Sequence, residues 1–395
     1  MIAPTRATSI DAYRGFAMFL MLAEVLQLPR IAKEFPGSPF WKSVRFHTTH
    51  VEWVGCSLHD LIQPSFSFLV GAALAFSIAR RRADGQSFGR AALHASWRAF
   101  ALVTLGIVLR SIGKPHTVFT FEDTLTQIGL GYLPLFLLSW AYPAPSSRHA
   151  LAILLILGFT WLAYVGYDWD LETSTAELSR EPSPRPLPLE GFEAHWQKNE
   201  NLGWGFDHWF LNQFGRQSPF TRNRGGYATI SAVPTLATML LGLLAGGWMR
   251  SERTAWRKVG LFAGVGAGLL GAGWAIDALG VCPMVKRIWT PSWVLFSGGW
   301  CFVLLALFHA ATDAVGYRGW SYPLRVIGAN SILIYCVAEV PIAAFIVGTV
   351  KTHFGANAFQ LFDARSEPVV AGATVLAVYW LALWWLHSKK LFVRI

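Results

Sequence analysis

Apolar stretches long enough to cross a lipid bilayer recur along the whole chain, and they constrain its fold more than any other feature. The hydrocarbon core of a bilayer takes about 20 helical residues and offers no water to unpaired backbone N–H and C=O groups. Segments that span it must therefore be helices. The sequence predicts one all-α polytopic transmembrane domain over residues 1–395, a bundle of about ten spans, at residues 9–28, 58–78, 92–110, 124–142, 149–167, 227–249, 258–279, 289–311, 322–346 and 368–387.

Composition supports this fold class, and the placement of charge gives it an orientation. Hydrophobic residues make up 53% of the chain and charged residues only 14%, which excludes a set of soluble domains. Basic residues cluster in alternate short loops, at 80–90, 250–258 and 389–394. Such loops face the cytoplasm, so the net charge of +10 is an orientation signal and not evidence for a nucleic-acid partner. We predict cytoplasmic termini and a long extracytoplasmic loop at 168–225.

A polar segment containing His50 and Asp60 runs directly into the second predicted span. Ionisable groups at the mouth of a span are costly to keep there, and a histidine near a carboxylate is suited to moving a proton near neutral pH. We therefore predict that His50 acts as a general base and that Asp60 orients it. The alternatives are an interfacial position for His50 and a helix-capping role for Asp60. We expect His59 to be a solvent-exposed neighbour.

Charged residues of other spans fall near the same membrane surface once the spans alternate in direction. Glu24 lies late in the first span, Arg110 ends the third, and Glu339 lies late in the ninth. Lys286 precedes the eighth span, where it could bind an anionic group or extend its ammonium to the interface. The convergence predicts a water-accessible outer cavity, which an enzyme and a proton-coupled transporter would both need. There, Glu24 would recognise an acceptor or pair with Arg110.

The predicted extracytoplasmic loop ends in a segment rich in aromatic residues. Its Trp196, Trp204 and Trp209 could stack on a sugar ring. An aromatic belt at the membrane interface is the preferred interpretation, because Trp is enriched there in most membrane proteins.

Several motifs, in the same order along the chain, give it a resemblance to a known family. Over nearly its full length it resembles the heparan-α-glucosaminide N-acetyltransferase family, multi-span acetyltransferases of lysosomal and bacterial membranes. The block that follows the first span is the most specific of these motifs. The matching stretches are SIDAYRG at 9–15, HVEWVG at 50–55, DLIQP at 60–64, PMVKRIWTPS at 283–292 and NSILIY at 330–335.

The resemblance implies transfer of an acetyl group from cytoplasmic acetyl-CoA, a co-substrate, to an amine of a sugar or glycan beyond the membrane. The family's catalytic histidine falls on His50, as general base or transient acetyl carrier, with Asp60 beside it. We expect a multi-pass protein of the inner membrane whose active-site mouth is periplasmic. Its partners would be the acceptor and the lipid bilayer, without a metal, and a homodimer is left open. The predicted substrate-binding residues are Glu24, Trp53, Lys286, Asn330, Ser331, Tyr335 and Glu339.

Departures from the family pattern leave the acceptor open. Glu24 stands where relatives carry an asparagine, and RGGY at 224–227 replaces Asp-Pro-Glu-Gly. Two other functions fit the same scaffold: a transporter or flippase, and an O-acyltransferase that modifies a glycan hydroxyl. Asn330 and Ser331 could also tie helices together instead of contacting substrate.

Overall fold

The computed structural model describes residues 7–167, 189–361 and 365–393, which are mostly helical. Within those ranges there is no β-strand, and β-type pairing is limited to isolated bridges. The predicted all-α class is confirmed, while residues 168–188 of the predicted loop lie outside the described residues. The helices are α1 (Thr8–Leu22), α2 (Leu28–Ala32), α3 (Pro39–His47), α4 (Ile62–Ala83), α5 (Phe88–Ser111), α6 (Thr124–Ala141), α7 (Ser147–Val165), α8 (Leu202–Phe210), α9 (Ala232–Met249), α10 (Ala255–Ala278), α11 (Pro291–His309), α12 (Tyr322–Ala329), α13 (Ser331–Glu339), α14 (Ile342–Phe354) and α15 (Glu367–Ser388).

The described residues form two compact units that interleave along the sequence. The first unit comprises residues 52–55 and 67–306, and the second comprises residues 7–51, 56–66 and 307–395 so far as these are described. That the chain is a single domain stays a prediction. Eight helices in the described ranges are long and apolar enough to cross a bilayer, and a bent helix pair raises this number to nine.

Side-chain caps set the points at which several helices begin. Asp123 Oδ1 accepts from the backbone N–H of Leu125 at the start of α6, at 2.8 Å. Asn201 Oδ1 accepts from Trp204 N at 3.1 Å where α8 begins. These bonds satisfy N–H groups that have no partner within the helix itself. The observed start of α6, at Thr124, equals the predicted start of the fourth span.

Helices α4 and α9 of the first unit pack with their backbones in contact. A Cβ at Gly242 would lie 1.8 Å from Phe68 O, and one at Gly246 would lie 2.3 Å from Ala72 O. The Arg250 guanidinium then donates to a carbonyl one turn further along α4, at 3.1 Å. Contacts that advance in the same direction show that α4 and α9 are parallel. The basic loops that follow them therefore lie at the same end of this unit, as predicted, and which side of the membrane that end faces stays a prediction.

In the second unit, α1 packs closely against α12. A Cβ at Gly15 would lie 1.8 Å from Leu324 O, and one at Gly328 would lie 2.5 Å from Asp11 O. Only glycine permits this approach. Helix α1 has 15 residues and continues as a 3-10 turn, Ala23–Leu26, before Gln27 adopts a left-handed conformation with φ of 49°. The first predicted span is therefore a shorter α-helix than the other candidates.

The ninth predicted span, residues 322–346, is wrong as a continuous helix. The chain forms α12, α13 and α14 there, and α13 and α14 meet at 67°. Asn330 interrupts the first junction, because its side chain accepts from Val393 N at 2.9 Å and donates to Leu391 O at 3.0 Å. Pro341 lies at the second junction and has no N–H with which to continue a helix.

Candidate functional site

The loop before α4 is organised around the fully buried carboxylate of Asp60. Its Oδ2 accepts from the backbone N–H groups of Val51 at 3.2 Å and Ser57 at 3.1 Å, and lies 2.9 Å from Ser57 Oγ. In return, Asp60 N donates to Ser57 Oγ at 3.3 Å. This reciprocal pairing has the form of a capping box, and it opens the helical segment that continues as α4. One carboxylate oxygen thus performs the capping role considered from the sequence.

The other oxygen of Asp60 holds His50. Its Oδ1 lies 2.8 Å from His50 Nδ1, and the His50 side chain is 39% exposed. Because a carboxylate can only accept, Nδ1 is the donor in this bond, and in the neutral ring the lone pair is then on Nε2. Asp60 therefore caps the helical segment and orients the histidine at the same time. The geometry leaves His50 Nε2 suited to take a proton from a group that approaches it.

His59 also belongs to this site, and the expectation that it is solvent-exposed is wrong. Only 10% of its side chain is exposed, its Nε2 lies 2.9 Å from Glu24 Oε1, and its ring centroid lies 4.5 Å from that of His50. Glu24 sits on the 3-10 turn after α1, and its side chain is 57% exposed. The pairing depends on tertiary packing between separate elements, so no local sequence signal could have shown it. Arg110, considered from the sequence as a partner of Glu24, contacts Asp123 at 3.2 Å.

Two histidine–carboxylate pairs thus lie side by side in the second unit. The His50–Asp60 pair has a buried carboxylate, whereas the His59–Glu24 pair has one that reaches solvent. The ring of His50 thus lies beside a second histidine–carboxylate pair whose Glu24 side chain reaches solvent.

Trp53 and Lys286 belong to the first unit, and both are buried. Trp53 Nε1 donates to the backbone carbonyl of Trp196 at 3.0 Å, and Gly55 N donates to Met284 O at 2.9 Å. The segment that follows His50 in sequence therefore docks beside the loop that carries Lys286. Trp196 is itself fully buried, so it cannot stack on a sugar ring.

The motif PMVKRIWTPS forms a turn that is hydrogen-bonded to itself. Thr290 Oγ1 and Ser292 Oγ each donate to Pro283 O at 2.8 Å, and Val285 N donates to Thr290 Oγ1 at 3.0 Å. The spacing of the proline, threonine and serine is thus explained by the turn they close. Lys286 lies within this turn, where its backbone is held firmly. A role in binding substrate stays a prediction for both Trp53 and Lys286.

The remaining predicted residues lie in the second unit, on or just before α13. Asn330 is fully buried and uses both ends of its amide to bind the C-terminal segment, which is a helix-tying role. Ser331, Tyr335 and Glu339 are four residues apart on α13, so they share one face of that helix. Contact of these residues with a substrate stays a prediction.

A second buried carboxyl, Asp207, joins α8 to the start of the sixth predicted span in the first unit. Its two oxygens lie 3.2 and 3.0 Å from Thr229 N. Burial raises the pKa of Asp207 to about 7, against the opposing effect of the Thr229 hydrogen bonds. This carboxyl therefore titrates near neutral pH.

In the part of the chain that the structure describes, no three His, Cys, Asp or Glu side chains are placed to share a metal ion. None of the four cysteines, all within the described residues, forms a disulfide bond. Burial raises the pKa of the Cys282 thiol to about 11, so it stays protonated and unreactive at neutral pH.

The candidate spans define a multi-pass α-helical membrane protein, and its candidate site is a histidine held by a buried carboxylate. More particularly, the chain is a distant relative of heparan-alpha-glucosaminide N-acetyltransferase. It is 21% identical over 437 residues to that protein of Homo sapiens and 21% identical over 425 residues to that of Mus musculus. Each alignment covers 99% of this chain, which spans about 60% of the length of these curated relatives. No protein-family model matches the chain. The relationship predicted from the motifs is confirmed.

Proposed function

We propose that the protein is a transmembrane acetyltransferase that moves an acetyl group from cytoplasmic acetyl-CoA to an amine of a sugar or glycan on the periplasmic side of the inner membrane. The observation that carries the proposal is the bond between His50 and the buried carboxylate of Asp60, which leaves His50 Nε2 as a base. The relatives are N-acetyltransferases by name, and their alignment covers nearly the whole chain.

The chemistry requires a base because an ammonium group is not nucleophilic. His50 Nε2 takes a proton as the amine nitrogen attacks the thioester carbonyl, and the negative carboxylate of Asp60 stabilises the imidazolium that forms. The carbon–sulfur bond then breaks, and the leaving CoA thiolate takes up one proton. The other proton released by the ammonium leaves through His59 and the exposed Glu24. An acetyl group carried on His50 Nε2 is the alternative path, and mass spectrometry of rapidly quenched protein distinguishes the two.

The charge of the donor and of the protein supports binding of donor and acceptor on opposite sides of the membrane. CoA is polyanionic and cannot cross lipid unaided. Helix α4 starts next to Asp60 and ends beside the arginines at 80–82, and its 22 residues are about 33 Å long. The acid–base groups and a basic loop thus lie at opposite ends of a helix that can cross the membrane. If the basic loop is cytoplasmic, as the orientation rule predicts, the site faces the periplasm.

Sealed vesicles of known orientation test the proposal. Labelled acetyl-CoA supplied only on the cytoplasmic side should label an amino sugar confined to the other side, without CoA crossing. His50→Ala should abolish labelling. His47→Ala is the matched control, because His47 lies in the same segment, where its Nδ1 accepts a long 3.4 Å bond from Leu58 N and its ring packs against Phe46. Wild-type labelling by His50→Ala would refute the assignment of the base.

A transporter is the second candidate, because the break between α13 and α14 is of the kind that transporters use to build a substrate site. A transporter would move intact substrate without consuming acetyl-CoA, and the vesicle assay detects this directly. An O-acyltransferase would label a sugar that has hydroxyl groups but no amine. Equal labelling of glucose and glucosamine would therefore favour hydroxyl transfer over the amine chemistry proposed.

A further inference from the structure

Helix α3 (Pro39–His47) lies on the surface of the second unit, and none of its nine residues is buried. Trp41 and Val44 are half-buried, and the other seven residues are exposed. Isolated helices shorter than about 12–15 residues are marginal in water. A helix this short, with so little of its surface packed against the protein, therefore indicates a further binding partner.

The C-terminal end of α3 is bound to the start of a candidate span. Thr49 Oγ1 donates to the carbonyl oxygen of Arg45, in the last turn of α3, at 2.8 Å. Thr49 O in turn accepts from Ser57 Oγ at 2.7 Å, and Ser57 belongs to the capping turn that opens the span His59–Ala83. Two consecutive hydrogen bonds thus hold α3 beside the first residues of that span.

The segment before α3 is bound to the beginning of a second span. A Cβ at Gly372, in the second turn of α15, would lie 2.2 Å from Val25 O, so the turn after α1 packs on this part of α15. The adjacent Glu24 pairs with His59, the first residue of the other span. The beginnings of both spans therefore lie at the same end of the second unit. A helix held beside them lies at the depth of the lipid headgroups.

The exposed side of α3 is cationic. Lys42 and Arg45 are three residues apart and Phe46 follows Lys42 by four, so these side chains share one side of the helix. Phe46 is 49% exposed. Within the described ranges of the chain, neither Lys42 nor Arg45 has a side-chain hydrogen bond or an ion pair. Membrane orientation does not account for these charges, because α3 lies at the end of α4 opposite to the arginines at 80–82.

We propose that α3 is an interfacial helix that binds anionic phospholipid headgroups. Lys42 and Arg45 bind the headgroup phosphates, and Phe46 enters the boundary with the acyl chains. A short basic helix with an exposed aromatic side chain is attracted to such a surface by charge and by burial of apolar area together. The partner is lipid because the beginnings of two spans hold α3 at the membrane. Through Thr49 and Ser57, the bound lipid also fixes the loop that carries His50 at the membrane surface.

Local lipid selectivity tests the proposal without requiring catalysis. The purified full chain, with a fluorescent amino acid in place of the exposed Ser43 of α3, is reconstituted in phosphatidylcholine nanodiscs. Nitroxide-labelled phosphatidylglycerol or nitroxide-labelled phosphatidylcholine is then added, and quenching against the labelled fraction gives the relative association constant of each lipid beside α3. Each cation close to an anionic surface favours binding about fivefold, so phosphatidylglycerol should be preferred about 25-fold, and raised salt should reduce the preference.

A fluorescent amino acid in place of Phe354 is the positional control. Phe354 is 79% exposed at the C-terminal end of α14, and Lys351, one turn before it, is already paired with Glu367 at 2.6 Å. The two lipids should associate almost equally at this position. The same preference for phosphatidylglycerol at both positions would show a general attraction of the protein for anionic lipid and would overturn the assignment to α3.

Charge-removing variants identify the side chains. Lys42→Gln and Arg45→Gln should each lower the preference at position 43 about fivefold, whereas Lys42→Arg keeps the charge and should retain the preference. Arg30→Gln is the matched control, because the Arg30 side chain donates to Gln27 Oε1 at 3.5 Å and its charge is offset by Glu367. An equal loss in Arg30→Gln, an unchanged preference in both charge-removing variants of α3, or no quenching by either lipid would overturn the proposal.

Discussion

Replacing Asp60 with asparagine separates the two roles of this side chain. The carboxylate accepts from two backbone N–H groups through Oδ2 and from His50 Nδ1 through Oδ1. Asparagine has a single acceptor oxygen, which the backbone N–H groups of the capping turn retain. Its NH2 group then faces His50 Nδ1, which must become an acceptor. The proton moves to His50 Nε2, and the histidine can no longer act as a base.

The size of the effect follows from these bonds. General acid–base catalysis contributes about 10²–10⁴-fold, so kcat for acetyl transfer should fall by this factor in Asp60→Asn, with His50→Ala setting the lower limit. Losing one hydrogen bond to a charged group should also lower the free energy of unfolding by about 1.5–3 kcal/mol. Initial rates with labelled acetyl-CoA and thermal unfolding in detergent measure the two quantities.

Ser57→Ala is the matched control for stability. It removes a hydroxyl of the capping turn and leaves the His50–Asp60 bond in place. We expect a loss of about 1 kcal/mol in stability with most activity retained. If Asp60→Asn keeps more than a third of wild-type kcat, or if Ser57→Ala loses as much activity as Asp60→Asn, then Asp60 does not control the protonation of His50.

Three further predictions concern stability and the acceptor. The pKa of Asp207 is about 7 in the folded protein and near 4 in the unfolded chain. Its contribution to the free energy of unfolding is therefore complete below about pH 4 and is lost as the pH rises towards 7, by up to about 1.4 kcal/mol per pH unit. Asp207→Asn should make the melting temperature fall less steeply between pH 5 and 8, and an unchanged slope would contradict the reasoning. Gly242→Val should lower the free energy of unfolding by about 1–3 kcal/mol or more, because it forces α4 and α9 apart. Gly268→Val should lower it much less, because there is open space around a Cβ at Gly268. Equal melting temperatures of the two variants would show that the close contact between α4 and α9 does not determine stability. Glu24→Gln should raise the KM for the acceptor amine several-fold, with a smaller effect on acetyl-CoA hydrolysis, because it removes the negative charge beside His59. If the variant changes only the hydrolysis of acetyl-CoA, then Glu24 does not receive the ammonium group or its proton.

Local patterns in the sequence predicted most of the candidate spans, because a run of about 20 apolar residues has few alternatives in a bilayer. The prediction failed at residues 322–346, where the apolar pattern continues through two interruptions. Pro341 was a visible breaker. Asn330 breaks the helix by binding a segment that lies far away in sequence, and no local pattern reveals that contact.

The candidate site, like the spans, could be predicted from the sequence only in part. His50 and Asp60 lie within one loop, so their spacing and chemistry were enough to predict that they belong together. The pairing of His59 with Glu24 joins the start of α4 to the turn after α1, and it arises from tertiary packing. Lys286 was predicted from the convergence of charged residues and from the resemblance, whereas neither showed that it is buried within the turn that Thr290 and Ser292 close.

The bend between α13 and α14 has a consequence for water inside the membrane. Short local hydrogen bonds satisfy part of the backbone at this bend, since Val340 N donates to Val337 O at 3.4 Å and Ile342 N donates to Val340 O at 2.7 Å. The opposed helix ends still concentrate negative and positive partial charge there. Hydrocarbon cannot solvate such charge, so the bend must be covered by protein or reached by water. A narrow wet path into the second unit would follow, and solvent-exchange labelling of the amide groups at 339–345 would detect it.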